Sequence, residues 1–291
     1  MNTQYLTRRP TRRSALLLGG GLALSPTLLA FATDPTRRFK IGACDWSLGR
    51  GGQLSALELA KQIGLDGVQV SFGKPGGEFD LRDEDIRRQY EQAAAEHQVE
   101  IASLAMGVLN SVPYASDKDA ERWVEECVEV MPMLQQKIVL LAFFSEGDIK
   151  DRPELQAEVI RRLKRVAPQA EKAGVVLGLE TWLSADEHLR ILDAVGSPAV
   201  QVYYDTANME QQGYDIYKEI RQLGRERICE FHCKENGFLL GEGRVDFRRV
   251  KEAMDDIDYS GWLVIESAVG NGQSVQDSYV HNQQYLRSVF Q

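Results

Sequence analysis

The residues best placed to do chemistry are three acids and a histidine, Glu180, Asp205, His232 and Glu266, each closing a short apolar run. The runs read Val175-Val176-Leu177-Gly178-Leu179-Glu180, Val202-Tyr203-Tyr204-Asp205, Cys229-Glu230-Phe231-His232 and Leu263-Val264-Ile265-Glu266. Their ends lie 25, 27 and 34 residues apart, each spacing close to one strand-plus-helix unit. Side chains alternate along a strand. If the four polar ends point to one side, then Leu179, Tyr204, Phe231 and Ile265 point to the other, where helices would cover them. Three carboxylates and an imidazole meeting at one point suit a divalent ion. Oxygen ligation favours Mn2+ or Mg2+, and the imidazole favours Co2+ or Zn2+. Without a cation, three clustered acids would repel and at least one would keep its proton.

Those ends need elements to position them. After Phe39 the sequence repeats a β-branched apolar run, a polar turn and a stretch of helical period. The strand candidates are Lys40-Cys44, Gly67-Phe72, Glu100-Met106, Lys137-Phe143, Val175-Glu180, Val200-Asp205, Arg227-Cys233 and Trp262-Ser267. Helical stretches follow each, over residues 55–63, 83–97, 117–134, 153–173, 184–195, 214–223, 247–255 and 275–290. The turn Gly64-Leu65-Asp66-Gly67 enters the second run much as Asp258-Tyr259-Ser260-Gly261 enters the eighth. An open doubly wound sheet carries a glycine-rich first turn, whereas Asp45-Trp46-Ser47 stands there. Eight units instead predict one closed α/β domain, a single (β/α)8 TIM barrel over residues 39–291, with its site at the C-terminal strand ends.

Composition agrees with a sizeable core: 43% of the 291 residues are hydrophobic and 26% charged. A net charge of -9 argues against nucleic-acid binding and against attraction to anionic lipid, and a small, uncharged substrate suits it better. The sequence leaves both a monomer and a homo-oligomer open. Residues 1–32 read as a cleaved export signal: Arg8, Arg9, Arg12 and Arg13, an apolar stretch from Ala15 to Leu29, then Ala30-Phe31-Ala32. The stretch is short for a membrane span, so no anchor is expected after cleavage. Arg12-Arg13 resembles a twin-arginine signal, with the general secretory route as the alternative, and either leads to the periplasm. Residues 33–38 are a short linker. No disulfide is expected, because Cys229 and Cys233 sit roughly 13 Å apart on one strand; Cys44 and Cys127 read as small buried hydrophobes.

With these motifs assembled, the chain resembles the xylose-isomerase-like sugar isomerases and epimerases, a superfamily that includes hydroxypyruvate isomerase, inosose dehydratase, D-tagatose 3-epimerase and the more distant endonuclease IV. The resemblance spans the chain after residue 38. It rests on Gly178-Leu179-Glu180-Thr181, Tyr204-Asp205-Thr206-Ala207-Asn208, Phe231-His232-Cys233-Lys234-Glu235, Leu240-Gly241-Glu242-Gly243-Arg244-Val245-Asp246-Phe247 and Val264-Ile265-Glu266. It implies one divalent metal on Glu180, Asp205, His232 and Glu266, with Glu180 and Glu266 as the acid-base pair of an enediolate mechanism. Epimerases of the D-tagatose type carry His where this chain has Asn208, so substrate contacts differ there.

Candidate substrate contacts are Asn208, Lys234, Trp182 and Trp46, together with Glu242 and Arg244 on a loop read as closing over the site. Each has an ordinary structural reading: a rim salt bridge for Lys234, loop packing for the two tryptophans. His97, His188 and His281 fall on helical stretches and read as surface or satisfied residues. The expected function is a metal-dependent isomerase or epimerase of a keto-sugar. A lyase acting on a 3-keto-glycoside through the same enediolate is the first alternative, and a non-catalytic sugar-binding barrel the second. An endonuclease IV-like site needs several histidines, and only one of the four here ends a strand.

Overall fold

The computed structural model describes residues 38–291, so the expected export segment 1–32 and the linker up to residue 37 lie outside the described residues. The apolar runs form β1 (Phe39–Cys44), β2 (Gly67–Ser71), β3 (Glu100–Met106), β4 (Ile138–Ala142), β5 (Val176–Glu180), β6 (Val200–Asp205), β7 (Ile228–Cys233) and β8 (Gly261–Ile265). Each pairs in parallel with its sequence neighbour, and β8 returns to pair with β1, closing a (β/α)8 barrel. Strands buried on both faces need nearly continuous apolar sequence, which is why the runs stood out.

The outer helices are α1 (Ser55–Ile63), α2 (Glu84–His97), α3 (Lys118–Val130), α4 (Pro153–Ala173), α5 (Ala185–Val195), α6 (Thr206–Gln211), α7 (Ile216–Leu223), α8 (Phe247–Asp256) and α9 (Val275–Phe290). Several start one residue later than the sequence suggested, because Asp83, Asp117 and Ser184 are N-caps whose side-chain oxygens accept the first free N–H groups. α3 stops before Pro132, and a 3-10 turn over Met131–Leu134 replaces its expected last turn. At Gly67 a side chain is excluded: a Cβ there would lie 2.6 Å from the Trp262 ring. Among the described residues no helix is long and apolar enough to cross a membrane.

Two layers of core result. Leu179, Tyr204, Phe231 and Ile265 sit in the large layer between barrel and helices, as alternation required. Inside the barrel a smaller cluster of Ala105, Leu140, Ala142, Tyr203 and Cys229 is interleaved with buried polar groups, Gln69, Ser103, Glu230 and His232. The barrel interior therefore mixes apolar packing with buried hydrogen bonds.

Candidate metal centre and cavity

Glu180 and Asp205 are the last residues of β5 and β6, His232 is the penultimate residue of β7, and Glu266 follows β8 by one position. The β6–β7 register sets Asp205 directly beside His232. One donor atom from each of the four lies within 4.8 Å of the other three, the span one divalent ion can bridge. His232 Nδ1 faces all three acids, 3.0 Å from Glu180 Oε1, 3.6 Å from Glu266 Oε2 and 3.9 Å from Asp205 Oδ2.

Asp205 divides its two oxygens between tasks. Oδ1 accepts the N–H groups of Ala207 and Asn208 at 2.9 and 2.8 Å, capping α6. Oδ2 is buried and has no hydrogen-bond partner. An interior carboxylate oxygen with no hydrogen bond, and with the Lys234 ammonium no nearer than 3.6 Å, is incompletely compensated, so the donor set fits a cation. Burial, reinforced by the nearby Glu180 and Glu266 and opposed by Lys234, pushes the Asp205 carboxyl up to about 7.

Glu266 stands in the opposite electrostatic condition. Trp46 Nε1–H donates to its Oε1 at 2.7 Å, and the Lys234 ammonium donates to its Oε2 at 2.8 Å. Burial alone would raise its carboxyl, but His232, Lys234 and the two hydrogen bonds hold it below the ordinary value. His232 is fully buried, which disfavours its charge; Glu180, Glu266 and Asp205 outweigh that and raise it to about 9. Lys234, also desolvated, is raised by Asp205 and Glu266 and stays an ammonium.

Above this cluster opens a cavity of about 740 Å3. Trp46, Glu180, Trp182, Asn208, Lys234 and Glu266 all line it. Trp182 packs edge-on against Phe144, with ring centroids 5.0 Å apart, giving one aromatic wall. Ser71, Lys74, Asn110, Ser111, Gln211 and Asn236 supply polar groups that the sequence did not single out. Asp45 fastens part of this rim: its carboxylate accepts from the Ser71 N–H and hydroxyl and from the Gly52 N–H, at 2.7 to 2.9 Å.

Glu242 and Arg244 are placed differently from the expectation. Neither lines the cavity; both are exposed, and Arg244 pairs with Glu210 at 2.9 Å. Their loop is gathered around Glu235, whose buried carboxylate accepts from the Val245 N–H at 3.3 Å and is held down against burial by the neighbouring backbone N–H groups of Gly241, Gly243 and Arg244. His188 is a fully buried core residue, not a surface one: its Nε2 lies 3.1 Å from Thr181 Oγ1, its Nδ1 has no hydrogen-bond partner, and burial lowers it to about 4. All four cysteines are free and buried, yet Cys44 is more than filler, its Sγ lying 3.3 Å from His232 Nε2.

Known proteins share this architecture. A 2-epi-5-epi-valiolone 7-phosphate 2-epimerase of Actinoplanes sp. is 26% identical over 225 residues, covering 74% of this chain and 82% of its own. An L-ribulose-5-phosphate 3-epimerase of Salmonella typhi is 26% identical over 233 residues, covering 73% and 81%. Among solved structures, D-psicose 3-epimerase of Clostridium cellulolyticum with D-tagatose superposes with a TM-score of 0.74 at 18% identity, over 87% of this chain and 99% of that one. The sequence pattern of the xylose isomerase-like TIM barrels matches residues 57–289, and the chain belongs to that family.

Proposed function

We propose that the protein is a metal-dependent isomerase or epimerase of a keto-sugar or sugar-derived ketone, with Glu180 and Glu266 as its acid and base. The observation that carries this reading is that two carboxylates from β5 and the end of β8 reach one cavity beside Asp205 Oδ2, which has no hydrogen-bond partner. Sequence relatives acting as sugar-phosphate epimerases support it.

Glu180, Asp205, His232 and Glu266 would hold the ion. A divalent cation there supplies Lewis-acid stabilisation for charge on a carbonyl oxygen and the adjacent hydroxyl. The chain does the rest. One of Glu180 and Glu266 takes the proton from the carbon beside the carbonyl, leaving an enediolate. The other returns a proton to the opposite face of that carbon for epimerisation, or a proton is delivered to the neighbouring carbon for isomerisation. Lys234 and Trp46 hold Glu266 ionised and fixed in direction. Asn208, at the cavity wall, offers an amide to substrate hydroxyls, and Trp46 and Trp182 offer apolar faces to a sugar ring.

The cavity volume favours a second reading. About 740 Å3 falls in the range that encloses drug-sized ligands, roughly 300–1,000 Å3, which leaves room for a glycosidic substituent beyond a single ring. Loss of that substituent from the enediolate would make the enzyme a lyase on 3-keto-glycosides. We also infer that the enzyme is exported, from the succession of basic, apolar and small-residue segments in the sequence of residues 1–32.

Incubating the purified protein with Mn2+, D2O and a panel of ketoses and 3-keto-glycosides tests both. Deuterium at the carbon next to the carbonyl with the glycosidic bond intact supports isomerisation or epimerisation, and release of the substituent supports the lyase. Neither exchange nor release across the panel overturns the mechanism.

A further inference from the structure

Behind the cluster, on the side away from the cavity, His232 is held by a group that belongs to no metal-ligand motif. Its Nε2 lies 2.8 Å from Gln69 Oε1, a bond between β7 and β2 across the barrel interior, 163 residues apart in sequence. Gln69 is fully buried, and its amide nitrogen donates to Ser103 Oγ and to the Tyr203 hydroxyl, both at 3.0 Å. Ser103 in turn donates its own hydroxyl proton to Glu230 Oε1 at 3.0 Å. With that proton committed, Ser103 Oγ can only accept from Gln69. The amide is therefore fixed with NH2 toward Ser103 and Tyr203 and with its oxygen toward His232.

We propose that Gln69 is a positioning residue that selects the imidazole tautomer of His232, keeping the ring proton on Nε2 and presenting a bare Nδ1 to a divalent cation. This rests on the metal-dependent reading above. An amide oxygen only accepts, so His232 Nε2 must donate; the other tautomer would set two lone pairs against each other at 2.8 Å. Nδ1 is also the nitrogen that faces Glu180, Asp205 and Glu266. The tautomer follows from the hydrogen-bond chain Glu230, Ser103, Gln69 and His232, every member of which is buried. Cys44 Sγ, 3.3 Å from Nε2, is the nearest substitute acceptor, and thiols accept weakly.

Outer-shell partners of metal-binding histidines typically govern affinity by roughly 10- to 100-fold. The test compares Zn2+ affinity by competition titration, and melting temperature without metal, for the wild type, Gln69→Leu and Gln69→Glu. Zn2+ binding to the wild type, a roughly 10- to 100-fold loss in Gln69→Leu and near-complete retention in Gln69→Glu, which restores an acceptor oxygen, support the proposal. A folded Gln69→Leu protein that binds Zn2+ within twofold of wild type overturns it while the metal reading stands. A wild type that binds no Zn2+ or Mn2+ at the cluster overturns both. Should Gln69→Leu fail to fold, 15N spectra of histidine-labelled, Zn2+-loaded wild type decide the matter: a proton on Nε2 is expected, and a proton on Nδ1 refutes it.

Discussion

Replacing Glu230 with glutamine should change how stability responds to pH more than it changes stability itself. Glu230 lies inside the barrel, fully buried, with Oε1 bonded to Ser103 and Oε2 without a partner. Burial, partly offset by Ser103 and His232, pushes its carboxyl from 4.5 up to about 8. In the unfolded chain the group ionises near 4.5, so across this window the unfolded state has given up a proton that the folded state still holds. Stability from this group is complete below the unfolded value and is lost as pH rises toward the folded one, at about 1.4 kcal/mol per pH unit. Between pH 5 and 8 the loss is about 3 kcal/mol. Glu230→Gln keeps the oxygen for Ser103 and has nothing to ionise, though its buried NH2 costs about 1–3 kcal/mol at every pH. The variant's stability relative to wild type should therefore climb by about 3 kcal/mol from pH 5 to pH 8, whatever its starting offset. Urea midpoints measured in a chelator at four pH values give this difference directly, because groups that do not interact with Glu230 titrate alike in both proteins and cancel, while the His232 charge that faces Glu230 is part of the effect being read. A difference that stays flat within about 0.5 kcal/mol would show that Glu230 is solvated or paired in solution, and the account of a half-polar barrel interior would fail.

Other outcomes follow from the same site. Glu180→Gln and Glu266→Gln should each lower deuterium exchange into substrate by about 10^2- to 10^4-fold while the barrel still melts cooperatively, and full exchange in either removes that residue from the chemistry. Mn2+ binding should tighten as pH rises from 6 to 9, since Asp205, raised to about 7, and His232, raised to about 9, must release protons to ligate. Calorimetry showing a flat or falling profile would remove one of them from the ligand set. Trp46→Phe removes the indole donor to Glu266, so the acid limb of the pH–rate profile should move to higher pH, and an unmoved limb would mean Lys234 alone holds that carboxylate.

The barrel was legible in the sequence because parallel strands buried on both faces leave an unusual trace, eight apolar runs separated by helical period. The convergence of Glu180, Asp205, His232 and Glu266 was legible for a related reason. A polar residue at the end of an apolar run is conspicuous, and strand ends are where a barrel gathers its chemistry. Gln69, Ser103 and Glu230 were not legible. Each is a single polar residue inside a strand, which reads as an interruption until its partner is known, and Gln69 meets His232 only through barrel closure. Glu242 and Arg244 were misplaced for the opposite reason. A conspicuous glycine-rich loop near the site suggested closure over it, but the buried Glu235 carboxylate draws that loop's backbone around itself.

The short helix α6 shows why local pattern and site chemistry could not be separated by sequence alone. Six residues carry too little periodicity to announce a helix, yet α6 determines how Asp205 can act. Its first N–H groups claim Oδ1, which locks the carboxylate plane and leaves Oδ2 one direction to face, toward His232, Lys234 and Glu266. Glu266 is locked likewise by Trp46 and Lys234, and His232 by Gln69. Asp205 and His232 are thus oriented by bonds made on their far sides, and Glu266 by Trp46 on one oxygen while Lys234 holds the oxygen that faces the cluster, so little conformational entropy remains to be lost when a cation arrives. Among the described residues Glu180 has one such bond, to His232 Nδ1 itself, and that bond must yield when Nδ1 takes up an ion. Glu180 is therefore released as it is used, and it is a carboxylate that lines the cavity where a proton has to be carried.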